Sequence, residues 1–320
     1  MVYLVGRYYV FNQESLEELK TIVSNTVAAA DLIHANHYPI KLGFKITINE
    51  EKIGMNATKE AQKILQKLPP KIWLLYNSVN QGAGTSYRQI LFNPTFSREE
   101  EGIVVGADFD QFIIDDAEGL ESILSLVENV KSKNSLYGIG SRDVPIKLAE
   151  HERNNRLRII HELFHSLTIG KDLVVAEKVE DVTPSYAAFG ESSSGLYVMN
   201  QRHPAYPELL KKVSSAVQQA NMRGFAADYY VAIAASQLAP IGTRYVKAKE
   251  NKFYQMKSEE DEYSGVLNLI SSQTRELLKT DIGAKLYSTL VDPRTSRRIA
   301  KFYREEEVLE VQLLMLDAVS

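Results

Sequence analysis

The sequence predicts an α+β fold: a mixed sheet built within the first two hundred residues, a central histidine-bearing helix, and a mainly helical C-terminal region. Three observations carry this. Strand-like and helix-like periodicities alternate through the first third of the chain. An amphipathic segment follows from Arg156 to Asp172, and beyond Met199 almost every periodic stretch has the i, i+3, i+4 apolar spacing of a helix.

The elements follow in order. Ser15 stands three residues before Glu18 at the head of "SLEELKTIVSNTVAAADLIHANHY", a capping-box arrangement that starts a first helix. "LGFKITINEE" alternates apolar and polar residues as a strand does, "ATKEAQKILQKL" is a helix stopped by Pro69 and Pro70, and "KIWLLYNSV" is a buried strand. After the Gly-rich turn "QGAGTS", both "RQILFNP" and "GIVVGADFDQFIID" are strand-like. "DDAEGLESILSLVENVKS" is a helix with an aspartate cap, and "LYGIGSRDVP" is a glycine-containing connection. Helical spacing then governs "YPELLKKVSSAVQQANM", "GFAADYYVAIAASQL", "EYSGVLNLISSQTRELLKT" and "RRIAKFYREEEVLEVQLLMLDAV". The prolines of "NQRHPAYP" mark the boundary between a region 1–201 and a helical region 202–320.

Composition narrows the function. With 44% hydrophobic and 24% charged residues, 320 residues suffice for one large domain or two smaller ones. A net charge of −4 provides no positive field for nucleic acid or an anionic membrane, so neither is expected as a partner. The absence of cysteine excludes disulfides, thiolate zinc sites and thiol nucleophiles, and leaves any metal to His, Asp or Glu. The N-terminus lacks the basic region and cleavage site of a secretory signal, and no apolar run is long enough to span a bilayer. The expectation is a cytoplasmic protein, or one exported without a cleaved signal.

Chemistry concentrates in "RLRIIHELFHSLTIGKD". His161 and His165, four residues apart, share one helix face a turn apart, the geometry by which two imidazoles reach one metal ion. Glu162 is rotated off that pair yet close to it, placed to accept a proton from metal-bound water. The same three residues also suit a plain solvated face of an amphipathic helix, since Leu157, Ile159, Ile160, Leu163, Phe164 and Leu167 supply its apolar side. Gly170 terminates the helix, and Asp172 follows it, where a turning chain brings a carboxylate back toward the metal.

His161-Glu162-x-x-His165 is the signature of the zincin metallopeptidases, which this chain resembles over the helix and, more loosely, over the strands and helices before it. The resemblance implies a zinc site on the floor of a cleft, with Zn²⁺ on His161, His165 and a third ligand, for which Asp172 stands first, and an edge strand, "GIVVGADFD" or "RQILFNP", holding an extended peptide. The metzincin continuation is absent, because Thr168 and Lys171 stand where its glycine and third histidine belong. A bacterial group related to IgA peptidases looks similar through its Asp at this spacing, although the Glu-Tyr that follows there is missing. Thermolysin-like gluzincins suggest Glu177, four residues before Asp181, as the alternative third ligand, with Glu180 and Glu191 of the same type. "SSSGLYVMN" resembles a metzincin Met-turn, with Met199 beneath the metal, and Tyr186, Tyr197 or Tyr206 would stabilise the oxyanion.

The function these features imply is a zinc metalloendopeptidase acting on a peptide or protein, by analogy a bacterial effector or toxin. Two other classes stay open: a non-catalytic zinc-binding scaffold, and a helical interaction module without metal.

Overall fold

The computed structural model describes residues 1–78, 83–96, 102–110, 112–142, 160, 163–164, 168, 195–220, 226–247, 259–294 and 305–318. The chain divides into two compact units: residues 1–143, 195–204 and 242–252 form the first, and 144–194, 205–241 and 253–320 the second.

The first unit grows from repeated strand–helix steps. β1 (Val2–Val10) leads into α1 (Gln13–Ala35), then β2 (Ile40–Ile48), α2 (Glu50–Leu65), β3 (Trp73–Asn77), α3 (Ala83–Leu91) and β4 (Ile103–Asp108). α4 (Ala117–Ser132), β5 (Tyr137–Arg142), β6 (Leu196–Asn200) and β7 (Ile241–Val246) complete it. The seven strands lie in the order β3-β2-β1-β4-β6-β5-β7. β1 runs parallel to both β2 and β4, and β2 parallel to β3, whereas β6 is antiparallel to β4 and to β5. The expected mixed sheet with helices is therefore present, and its first half is a parallel α/β layer.

Side-chain alternation along β1 shows which helix covers which face. Tyr8 points to α1, where its hydroxyl lies 3.0 Å from the Ser15 carbonyl and 2.8 Å from Glu18 Oε2. Arg7 points the other way, its guanidinium 5.6 Å from the Tyr87 ring centre on α3. Both faces of the parallel strands are covered, which is why β1, β2 and β4 are nearly all buried.

α1 starts three residues earlier than its sequence signal at Ser15. Asn12 is the cap, its Oδ1 accepting from Ser15 N at 2.8 Å, while Ser15 Oγ accepts from Asn12 N at 3.0 Å. Ser15 is thus the third helical residue of the box, and Glu18 is released to bind Tyr8. α4 begins where expected, with Asp116 Oδ1 accepting from Gly119 N at 2.6 Å.

Four expected elements are corrected. "RQILFNP" is no strand: its residues Arg88–Leu91 belong to α3, which buries Tyr87, Ile90 and Leu91 at helical spacing. "GIVVGADFD" is no edge for a peptide, because β4 has β1 on one side and β6 on the other. "LYGIGSRDVP" contains β5, whose Gly138 lets the Val130 side chain approach: an added Cβ would lie 2.4 Å from it. The supposed Met-turn is β6, where Met199 is fully buried and paired with Val104 and Tyr137.

The second unit is helical: α5 (Tyr206–Ala220), α6 (Ala226–Leu238), α7 (Glu259–Leu278), α8 (Gly283–Val291) and α9 (Glu305–Asp317). Tyr230 donates to Asp281 Oδ1 at 2.7 Å and Lys212 donates to Oδ2 at 2.9 Å, which joins α5, α6 and the approach to α8. Ile160, Leu163 and Phe164 are buried here, and Phe164 meets Tyr229 edge-on at 5.2 Å.

Candidate functional site

Strand order fixes where a ligand would sit. From β1 the chain moves outward to β2 and β3, then returns through α3 to place β4 on the opposite side of β1. The two connections leave on opposite faces, which makes the C-terminal ends of β1 and β4 the topological switch point of the parallel strands.

Polar and aromatic side chains gather at that edge. Asp108 ends β4 and is directly across from Arg7 in register. Arg7 donates from Nε to Asp108 Oδ1 and from Nη2 to Oδ2 at 3.1 Å, a two-pronged ion pair that is mostly buried. Gly195 borders the same carboxylate at φ +72°, donating nothing with a side chain and accepting from Asp108 N at 2.9 Å. A Cβ there would fall 2.2 Å from Asp108 Oδ2, so only glycine lets the two approach. Asp110 follows in the turn, half-buried, and its charge helps to raise the Tyr8 hydroxyl above its ordinary range, after burial itself.

Phe109, between the two aspartates, lies flat across Gly6 and stacks on Phe44 at 6.0 Å. It anchors the turn. At the end of β1, Tyr9 and Phe11 stack at 5.3 Å with an interplanar angle of 20°, and Phe11 is 42% exposed. Asn49, just past β2, donates from Nδ2 to the Tyr9 hydroxyl at 2.8 Å and orients that ring.

A second cation lies beside Arg7. Lys45 is register-matched to it on β2 and only 1% exposed. Its ammonium donates to Asn77 Oδ1 at 2.7 Å once that amide is oriented to satisfy both ends. Burial first, and the neighbouring Arg7 charge second, bring its pKa down to about 8.

None of these residues stood out in the sequence reading. Asp108 and Asp110 lie inside the strand-like "GIVVGADFDQFIID", and Lys45 inside the alternating "LGFKITINEE", with no local pattern to single them out. The available signal was a pair of carboxylates flanking an aromatic at the end of a strand, after three strand–helix repeats.

The sequence-predicted site residues fare differently. His161, Glu162, His165 and Asp172 lie outside the described residues, as do Glu177, Glu180, Glu191 and Tyr186. Tyr197 is buried within the sheet between Tyr87 at 4.6 Å and Tyr137 at 6.0 Å. Tyr206 begins α5, and burial pushes its hydroxyl up to about 12.

No protein-family model matches this chain, and no curated protein matches it either. Solved structures similar to it include those of S. aureus TarS. Residues 1–349 of TarS in complex with UDP-GlcNAc give a TM-score of 0.43 at 14% identity, covering 99% of this chain and 79% of that one. A longer TarS structure gives 0.40 at 14% identity, covering 100% of this chain and 49% of that one. These are loose likenesses.

The zincin metallopeptidase expectation is corrected here. The likenesses found are to structures of TarS, one of them in complex with UDP-GlcNAc. Among the described residues, no three His, Asp or Glu side chains group as metal ligands. Neither proposed substrate strand is an edge, since "RQILFNP" lies largely in α3 and β4 is flanked by β1 and β6. The physical reason for the error is that His-Glu-x-x-His specifies only three positions of one turn, and any amphipathic helix with a polar sector can carry them. Hydrolase activity and a peptide substrate are withdrawn with it. Among the described residues no helix is long and apolar enough to cross a membrane.

Proposed function

We propose that this chain binds a nucleoside diphosphate-linked ligand at the β1/β4 edge and transfers the linked group to an acceptor. One observation carries the reading: the strand order reverses between β1 and β4, adjacent strands whose C-terminal ends carry Tyr9 and Phe11 on one and Asp108 and Asp110 on the other. The exposed face of Phe11, backed by Tyr9, suits a planar base, as aromatic side chains stack bases with little regard to sequence. Arg7 and Lys45 give the sheet edge a positive interior beneath a diphosphate.

A divalent cation fits this arrangement in a restricted way. Asp108 is held by Arg7 through both oxygens, and Asp110, in the turn beyond it, is a second carboxylate that would take one position on a cation carried by the diphosphate; Mg²⁺ so bound needs only one or two carboxylates. Such an ion would offset the charge of the departing diphosphate. Phe109 holds Asp110 in place through its contacts with Gly6 and Phe44.

TarS has been solved with UDP-GlcNAc, which makes that compound the first to test. In a sugar nucleotide the bond broken joins the sugar's anomeric carbon to a phosphate oxygen, the nucleoside diphosphate leaves with the electron pair, and an acceptor hydroxyl, or water where no acceptor is present, bonds to that carbon and loses its proton. Release of UDP from UDP-GlcNAc with Mg²⁺ or Mn²⁺, reduced roughly a hundredfold in Asp110→Asn, would support the reading. Neither release nor binding across a panel of nucleoside diphosphates and their sugars would overturn it.

Zinc on His161, His165 and Asp172, beside Glu162, is a separate proposal that rests on sequence spacing alone. Stoichiometric zinc lost in His161→Ala supports it, and metal-free purified protein ends it.

A further inference from the structure

A chain of contacts runs from the interior of the sheet to the Asp108 carboxylate. Arg7 and Asp108 share, in register, the sheet face that α3 covers. Tyr197 pairs with Gly106, two residues before Asp108, and Ile139 pairs with Tyr197, so Tyr197 and Tyr137 lie on this same face. Tyr87 meets them from α3: its hydroxyl contacts the Tyr137 hydroxyl, and its ring stands edge-on to Tyr197 at 4.6 Å. The same ring lies under the Arg7 guanidinium, 5.6 Å from its centre. Tyr87 and Tyr137 are both fully buried.

Packing alone does not call for this chemistry. Two phenylalanines would fill the same space without burying two hydroxyls, each of which needs a hydrogen-bond partner once it leaves water. The hydroxyl contact fixes the far end of the Tyr87 ring and Tyr197 fixes its tilt, so the ring has one plane to offer Arg7. A guanidinium is planar, and its two-pronged bond to a carboxylate holds the two groups nearly coplanar. The orientation of the ring is thereby passed to Asp108, whose carboxylate keeps further lone pairs for a cation.

We infer that Tyr87 and Tyr137 are positioning residues for the nucleotide site: through Arg7 they set the plane of the Asp108 carboxylate, and so its fit to the divalent cation of a nucleoside diphosphate. The inference rests on the nucleotide reading of that edge. Both tyrosines act through the guanidinium, as groups behind a metal ligand orient it.

The test compares the whole chain with Tyr137→Phe and Tyr87→Phe, which keep both rings and remove one hydroxyl each; circular dichroism checks that both variants fold. Hydrogen exchange of the Arg7 Nε–H, read by NMR on arginine-labelled protein and assigned with Arg7→Lys, should be about tenfold faster or more in either variant. The double variant should exchange no faster than the single ones, since all three lose the same contact. Calorimetric titration of Mg²⁺ into the UDP-saturated protein should show about tenfold weaker Mg²⁺ affinity in each variant, with the affinity for UDP in EDTA unchanged. Exchange as slow as in the wild type, Mg²⁺ affinity equal to the wild type, or an equal loss of UDP and Mg²⁺ affinity would overturn the inference and leave the nucleotide reading standing. A wild-type chain that binds no UDP, with or without Mg²⁺, would end the nucleotide reading itself and this inference with it.

Discussion

Arg7 and Asp108 face each other across the parallel β1–β4 pair, and the guanidinium reaches both carboxylate oxygens from two of its nitrogens. This pair closes the C-terminal edge at the point where the strand order reverses. Its partners are fixed by the sheet register, so neither can be replaced by a residue that merely keeps the charge.

Arg7→Met should leave the mostly buried Asp108 carboxylate without its cation. A loss of about 2 kcal/mol in urea unfolding is expected, less than for a fully buried pair because some solvent reaches both groups. Adding Asp108→Asn to Arg7→Met should cost less than the sum of the single changes. Strict additivity would show that the two groups do not interact.

Lys45 makes stability depend on pH in a defined window. Its pKa falls from 10.5 to about 8 in the folded chain, so the unfolded chain holds more protons between those values. Stability attributable to this residue should therefore rise as pH increases from about 8 to 10.5, and be lowest below 8, where the buried ammonium is charged. Lys45→Met should stabilise the protein at pH 7 by on the order of 2 kcal/mol, with the gain shrinking toward pH 10. A pH-independent difference in Tm would contradict this.

Gly6→Ala should destabilise the first unit, because the new methyl would lie 2.1 Å from the Phe109 ring. The cost is expected at about 2 kcal/mol or more. Phe109→Leu in the same chain should recover part of it, and failure to recover any would place the strain elsewhere.

Much of this architecture was legible, and the failures have physical causes. Asp116 and the apolar spacing of α4 sufficed for that helix, since capping and amphipathicity are local properties. α5, α6, α7 and α9 were readable for the same reason, whereas α8 was not singled out. α3 was mistaken for a strand because "RQILF" is a short apolar run, and the decisive spacing of Tyr87, Ile90 and Leu91 begins one residue before it. β5 was taken as a connection because Gly138 and Gly140 weaken a strand signal; they are there because Val130 and Leu196 pack against the backbone. The candidate site was hidden more deeply. Arg7, Lys45 and Asp108 come together only through parallel pairing across 101 residues of chain, which no local pattern reveals.

Phe11→Ala should weaken nucleotide binding without harming the fold, since the ring is exposed and its loss opens no cavity. About tenfold is expected if the base stacks there. Near-equal affinity would move the base away from the β1 end.

Calorimetric titration of the whole chain with UDP and Mg²⁺, set beside Asp110→Asn, tests the nucleotide site most directly. The account predicts saturable binding by the wild type and at least a tenfold loss in the variant, at unchanged Tm without ligand. Equal affinity for UDP in both proteins would contradict it.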